Sequence, residues 1–288
     1  MKVFGYYLPF LKRVLAAITA LLALVILHFE PTPLPEFHES VAVTDFMLFD
    51  ALVRGQGVTN DGKNLYFSWN FGLTKTDLSG TKILKQNLVA IPFELLLKGC
   101  SHIGGIGYYD GRIFCTMEDS KVFENLYIAS FDAKNLKLIK YKAVPLEDHE
   151  FGIPWCAVDP ATGYVYSARR DRITTLNIYD PDTLELIDYL ELDAPVHKAQ
   201  GGEVHDGVLY LSMQREEQAI YAIHLATGQV QKVFDRFLGG AEGEGMTILP
   251  MANGAFFHAL DVGELGVNVH LRSYAFDPAS LVWGVDNP

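Results

Sequence analysis

The 288-residue chain holds only three cysteines, Cys100, Cys115 and Cys156, and no C-x-x-C pair. An odd count leaves at least one thiol outside any internal disulfide. The missing pair removes support for zinc-ribbon or thioredoxin-type chemistry. Three small buried apolar residues are the simplest account of these thiols. In the hairpin around Gly111, regular register sets Cys115 opposite Ile106 rather than Cys100, which disfavours a bridge between the first two. Basic residues are also scarce: 23 lysines and arginines stand against 35 acidic residues, a formal net charge of -12. No basic stripe interleaves with aromatics, so nucleic acid is not an expected partner. Neutral or cationic small molecules, peptides and ions suit this field better. There is no N-x-S/T acceptor site.

Long apolar runs are missing too, with one exception. VLAAITALLALVILHF, Val14 to Phe29, carries no charged residue and follows Lys2, Lys12 and Arg13. It is short for a spanning helix, which takes roughly 17–25 residues. The following HFEPTPLPEF lacks the small residues of a cleavage site. Residues 1–30 therefore read as an uncleaved signal anchor, one N-terminal transmembrane helix with its basic end in the cytoplasm. Residues 31–43, with three prolines in PTPLPEF, read as a stiff spacer, and residues 44–288 as the exported domain. The expected location is the extracytoplasmic side of a membrane, periplasmic or extracellular. Cleavage after the apolar run would make the domain secreted.

What fills the rest is a repeat. NDGKNLYF, YDGRIFCT, DPATGYVYSA, HDGVLYLS and PMANGAFFHA each set a glycine-containing turn before alternating aromatic and aliphatic residues, the mark of a hairpin's second arm. The turn glycines Gly62, Gly111, Gly163, Gly207 and Gly254 are spaced by 49, 52, 44 and 47 residues. A further alternating run follows each hairpin, with turns at Asp77, Asp132 and Asp180 in nearly the same phase. About four short strands per unit, no convincing amphipathic helix and a period of this size predict an all-β fold, a β-propeller of five four-stranded blades. Thr44 to Leu52 is expected to supply the outer strand of the last blade and so close the ring.

In such a ring the first strand of each blade lines the central channel. The segment before each glycine turn then marks one mouth: RGQGVTN, SHIGGIGYYD, HEFGIPWCAVD, AQGGEVHD and AEGEGMTILP. Glycines belong there because converging backbones leave no room for side chains. The polar residues among them are the candidate site. His102, Glu150 and Glu244 are the candidate catalytic groups, and Gln56, Trp155, Gln200, Glu203 and Glu242 the candidate ligand contacts. The same set fits three readings: polar lining of a water-filled channel, oxygen ligands for a hard cation such as Ca²⁺, or acid–base chemistry by His102 with Glu150 or Glu244. Trp155 suits either ligand stacking or the core. Glu118 and Asp119 read as solvated loop carboxylates, His258 as a satisfied half-buried histidine, and Arg169 to Arg172 as an exposed charged turn.

The repeat as a whole resembles the quinoprotein-like and YVTN-type β-propellers over roughly residues 45 to 280. Within it, RGQGVTNDGKNLYFSWNFGLTKTDLSGTKILKQ is similar to the first repeat of plant-type glutamine cyclotransferases, in which Gln56 would match a channel-facing glutamine. That resemblance implies a five-bladed propeller and an enzyme that cyclises N-terminal glutamine. The chain departs from the family where a glutamate is expected in the second repeat, since His102 stands there in SHIGGIG. The fold carries over and the activity does not. The sequence thus predicts a membrane-anchored binding or scaffold module taking a small ligand at the channel mouth, with or without a metal ion. The alternative is a hydrolase or cyclotransferase-like enzyme using the channel carboxylates and histidine.

Overall fold

The computed structural model describes residues 17–18, 37–214, 217–236 and 238–284. All but residues 17–18 of the expected anchor at 1–30, and residues 31–36 of the proline-rich spacer, lie outside these residues. Among the described residues, no helix is long and apolar enough to cross a membrane.

The strands are β1 (Ala42–Met47), β2 (Val58–Asn60), β3 (Asn64–Trp69), β4 (Gly72–Asp77), β5 (Ile83–Asn87), β6 (His102–Tyr109), β7 (Arg112–Glu118), β8 (Tyr127–Asp132), β9 (Leu138–Ala143) and β10 (Cys156–Val158). They continue with β11 (Val165–Ser167), β12 (Ile173–Tyr179), β13 (Leu186–Val196), β14 (Ala199–His205), β15 (Val208–Met213), β16 (Ala219–His224), β17 (Val230–Asp235), β18 (Glu242–Ile248), β19 (Ala255–Val262) and β20 (Asn268–Ala275). Four blades are plain antiparallel meanders, β2 to β5, β6 to β9, β10 to β13 and β14 to β17. The fifth takes its inner three strands, β18 to β20, from the end of the chain and its outer strand, β1, from the beginning. The pairing of β1 with β20 runs from Ala42 opposite Ser273 to Met47 opposite Asn268. Ring closure is as expected, but the closing strand starts two residues earlier than Thr44 and ends at Met47, with Phe49–Leu52 helical; it removes the free edge that an open sheet would expose. Two short helices, α1 (Phe49–Leu52) and α2 (Phe93–Leu97), lie in the connections that enter the first two blades.

Local chemistry accounts for the turns. All five repeat glycines sit at positive φ, between 75° and 85°, where a Cβ would be strained. Asp77, Asp132 and Asp180 each accept backbone N–H groups two or more residues on, so the side chain itself closes the outer turns. Between blades, apolar side chains interlock. Trp155, Ile173, Leu209 and Met213 share one core cluster joining the third and fourth blades. Cys115 lies opposite Ile106 as register required, and all three thiols are free and buried. At the seam between the fourth and fifth blades Arg236 and Asp261, both fully buried, pair at 3.1 Å, and Arg272 holds the second oxygen of Asp261 at 2.9 Å.

Toward the axis, packing is governed by glycine. A Cβ on Gly201 would lie 2.4 Å from Gly245 Cα, and one on Gly245 would lie 2.6 Å from Gly57 Cα. Gly201→Ala should therefore cost about 3 kcal/mol or more of unfolding free energy, because backbone cannot yield as a side chain can. Gly254→Ala adds a methyl with nothing within 4 Å and meets only the positive-φ penalty of about 1–2 kcal/mol. Denaturant unfolding of the two variants checks the contrast.

Candidate functional site

Each blade begins at the axis and meanders outward, so the five innermost strands, β2, β6, β10, β14 and β18, run in one direction. Three of them slip register before their repeat hairpins: between Ile103 and Ile106 in β6, Ala199 and Gly201 in β14, and Gly243 and Met246 in β18. A bulge of this kind bends the strand and re-aims a side chain. Backbone then joins the blades directly. Gly245 N–H donates to Gln56 O at 2.8 Å, and Gly105 N–H to Pro154 O at 2.9 Å. A Cβ on Gly105 would also approach Gln200 O, two blades away, to 3.0 Å. The contact crosses the axis, so the lumen is closed at this height. The inner strands start at one end of the axis and finish at the other, and these two ends, the first and second recess below, carry different residues.

In the first recess the structure brings two of the expected residues together. His102 Nε2 lies 2.5 Å from Gln56 Oε1, joining the first two blades. A third group, absent from the expected set, completes the arrangement. Glu118, at the end of β7, pairs across the hairpin with His102 and is fully buried. Its Oε1 stands 3.2 Å from His102 Nδ1, at an angle that makes no hydrogen bond, and both atoms are buried without a hydrogen-bond partner. Its Oε2 accepts the Ile153 N–H at 2.7 Å. Arg170 Nη1 lies 4.0 Å from Oε1 on a side chain about one-third exposed. The expectation that Glu118 is a solvated loop carboxylate is thus overturned. Regular counting from the Tyr109–Arg112 end of the hairpin would set His102 opposite Asp119; the bulge at Gly104 and Gly105 moves Glu118 into that place. Asp119 is buried as well, accepting the N–H groups of Phe123, Glu124 and Asn125. Hydrogen bonds to Asn125 and these amides hold its carboxyl below the ordinary range despite burial.

The other candidates separate. Glu150 is half exposed and ion-paired with Arg169. Trp155 has no exposed surface and lies in the core between blades, so it cannot stack on a ligand at the mouth. Gln200 sits half-buried at the β14 bulge. Glu242 accepts from Gln214 Nε2, and Glu244 is buried at the β18 bulge. Among the described residues, no three His, Cys, Asp or Glu side chains gather as a metal set. His149, in the mouth segment HEFGIPWCAVD, is buried between Tyr179 and Asn177; burial pushes its imidazole down to about 4. His258 is satisfied by Ser273 and by Leu249 O, as expected.

Glu203 belongs to the second recess, not to the mouth with His102. Two residues beyond the glycine closure it accepts from Thr247 Oγ1 at 2.5 Å, Thr59 Oγ1 at 3.3 Å and Asn60 Nδ2 at 3.4 Å. Its partners are neutral donors and its carboxyl is enclosed, so burial pushes it up to about 7 against the pull of those hydrogen bonds.

Fold and site together define a five-bladed propeller whose closed axis carries a His–Glu–Gln cluster at one end and an isolated carboxyl at the other. No family model and no curated protein matches the chain. Among solved structures it is similar to the Kuenenia stuttgartiensis hydrazine synthase, with a TM-score of 0.43 and 14% identity. The match covers 81% of this chain and 57% of that one. The fold assignment rests on the strand pairing.

Glu203 gives the site a measurable pH signature. The folded protein keeps its proton to about pH 7, whereas the unfolded chain releases it near the ordinary 4.5. Its contribution to stability therefore falls as pH rises between those values and stays low above them. His149 works in the opposite sense over part of that window, so the comparison is made between variants. Relative to wild type, Glu203→Gln should gain about 2–3 kcal/mol in unfolding free energy between pH 4.5 and pH 8. Denaturant titrations at the two pH values check this; an unchanged difference would place Glu203 in open solvent.

Proposed function

We propose that the protein is an extracytoplasmic binding module, held at a membrane by residues 1–30, whose first recess takes up a small neutral or cationic ligand. The observation that carries this reading is a pair of buried atoms without a hydrogen bond, His102 Nδ1 at the start of β6 and Glu118 Oε1 at the end of β7. Buried polar atoms are almost always hydrogen-bonded, and an orphan pair marks where a partner belongs. The acidic balance of the chain favours the same class of ligand. The tether and its orientation rest on the uncharged run Val14 to Phe29 and the basic residues before it.

One observation favours a second reading, an enzyme of hydrolase or cyclotransferase type. An imidazole whose Nδ1 stands 3.2 Å from a buried carboxylate becomes the arrangement of a general base once Nδ1–H donates to it. In that reading Glu118, not Glu150, supports His102.

Thermal melts of the full chain in detergent, run against small amines, amides, polyols and short peptides, test the proposal. A ligand at 100 times its Kd adds about 2.7 kcal/mol, several degrees for a domain of this size. Gln56→Ala should abolish the shift while leaving the unliganded Tm within about 2 °C. A shift that survives in Gln56→Ala would place the ligand elsewhere. Turnover lost in His102→Gln with binding retained would favour the enzyme.

A further inference from the structure

We propose that His102 Nδ1 and Glu118 Oε1 are two ligands of a divalent transition-metal ion at the mouth, with the remaining coordination positions left to water or to the small ligand. Hydrogen bonding decides which atoms are free to coordinate. Gln56 Oε1 only accepts, so in the neutral imidazole its 2.5 Å contact puts the single proton on Nε2 and leaves a lone pair on Nδ1. Glu118 Oε2 is occupied by the Ile153 N–H, which leaves Oε1. Two lone-pair atoms then face one another at 3.2 Å, buried and without a hydrogen bond between them. They repel unless a proton on Nδ1 or a metal ion joins them.

The separation suits a metal. With bonds of about 2.0–2.2 Å to nitrogen and oxygen, donors 3.2 Å apart subtend about 100° at the ion, between octahedral and tetrahedral geometry. The outer contacts match as well. A metal-bound histidine donates its other N–H to an oxygen acceptor, and a ligating carboxylate is itself hydrogen-bonded; Gln56 and the Ile153 amide fill these roles. Gly152 makes the second one possible, because at its φ of 112° a Cβ would lie 2.5 Å from Glu118 Oε2. One imidazole nitrogen and one carboxylate oxygen favour Zn²⁺, Fe²⁺, Mn²⁺ or Ni²⁺ over Ca²⁺, which prefers oxygen throughout. Arg170 stands beyond hydrogen-bond reach of Oε1 and can turn toward solvent. Two protein donors imply a modest affinity and an ion open to exchange.

This inference rests on reading the recess as a binding site, but the metal alone tests it. Tag-free full chain in detergent is stripped with chelator, then titrated with Zn²⁺ by calorimetry and with Co²⁺ by visible absorption. One equivalent should bind with a micromolar Kd. His102→Gln and Glu118→Gln should each weaken binding at least tenfold, and Gln56→Ala ten- to a hundredfold; His102→Gln should also remove the cobalt band. Glu118→Gln keeps an oxygen for the Ile153 N–H, so circular dichroism and Tm should match wild type. Wild-type protein that takes up no ion, or His102→Gln that binds as tightly as wild type, would overturn the proposal. A small ligand that still binds the metal-free protein would leave the recess a binding site and reject only the ion.

Discussion

Five strands cannot meet on one axis while each carries side chains there, and the rest of this structure follows from how that crowding is relieved. Gly57, Gly105, Gly201 and Gly245 bring backbone against backbone, and the freed N–H and C=O groups bond across blades. Converging main chain without such partners would bury orphan polar groups at a cost of about 1–3 kcal/mol each. Ser68 shows the same economy: its hydroxyl accepts from Gly57 N–H and donates to Gly104 O, tying the first blade to the second. Ring closure by β1 completes the constraint.

Closing the axis also makes the site. Glycines on inner strands cannot pack side chains, and the chain answers with register slips in β6, β14 and β18. Each slip leaves a residue whose side chain is not fixed by strand alternation. In β6 it sets a histidine opposite a glutamate, with the glutamate covered by the Gly152–Ile153 loop of the next blade. The same closure isolates Glu203, whose neutral-donor cage has no counter-charge. Two recesses of unlike chemistry therefore arise from one packing problem. Elsewhere the chain neutralises buried charge directly, as Arg236, Asp261 and Arg272 do at the seam between blades.

The architecture was legible because its signals are local and repeated. Each turn glycine needs positive φ, each Asp turn closes on its own amides, and five copies set the blade count. Glycine crowding at the axis and the closing role of the first strand could be read in the same way. The site was only partly legible. Gln56 and His102 were found, since both flank axial glycines. Glu118 was missed because a bulge shifts the hairpin by one residue, and counting cannot see a bulge. Trp155 and Glu203 were placed at the wrong end or depth for a related reason. Membership of an inner strand fixes neither the side of the closure nor whether a side chain faces the axis or the neighbouring blade. Nothing in the spacing of Glu150 foretold its capture by Arg169 from a later loop.

The most direct test is the tautomer of His102 in metal-free protein. Long-range proton–nitrogen correlation in alkaline solution, assigned by comparison with His102→Gln, reports which ring nitrogen carries the proton. The account predicts a proton on Nε2, donated to Gln56, and a bare Nδ1 facing Glu118. A proton on Nδ1, donated to Glu118, would satisfy both orphan atoms and contradict the reading of this recess as a place that lacks its partner.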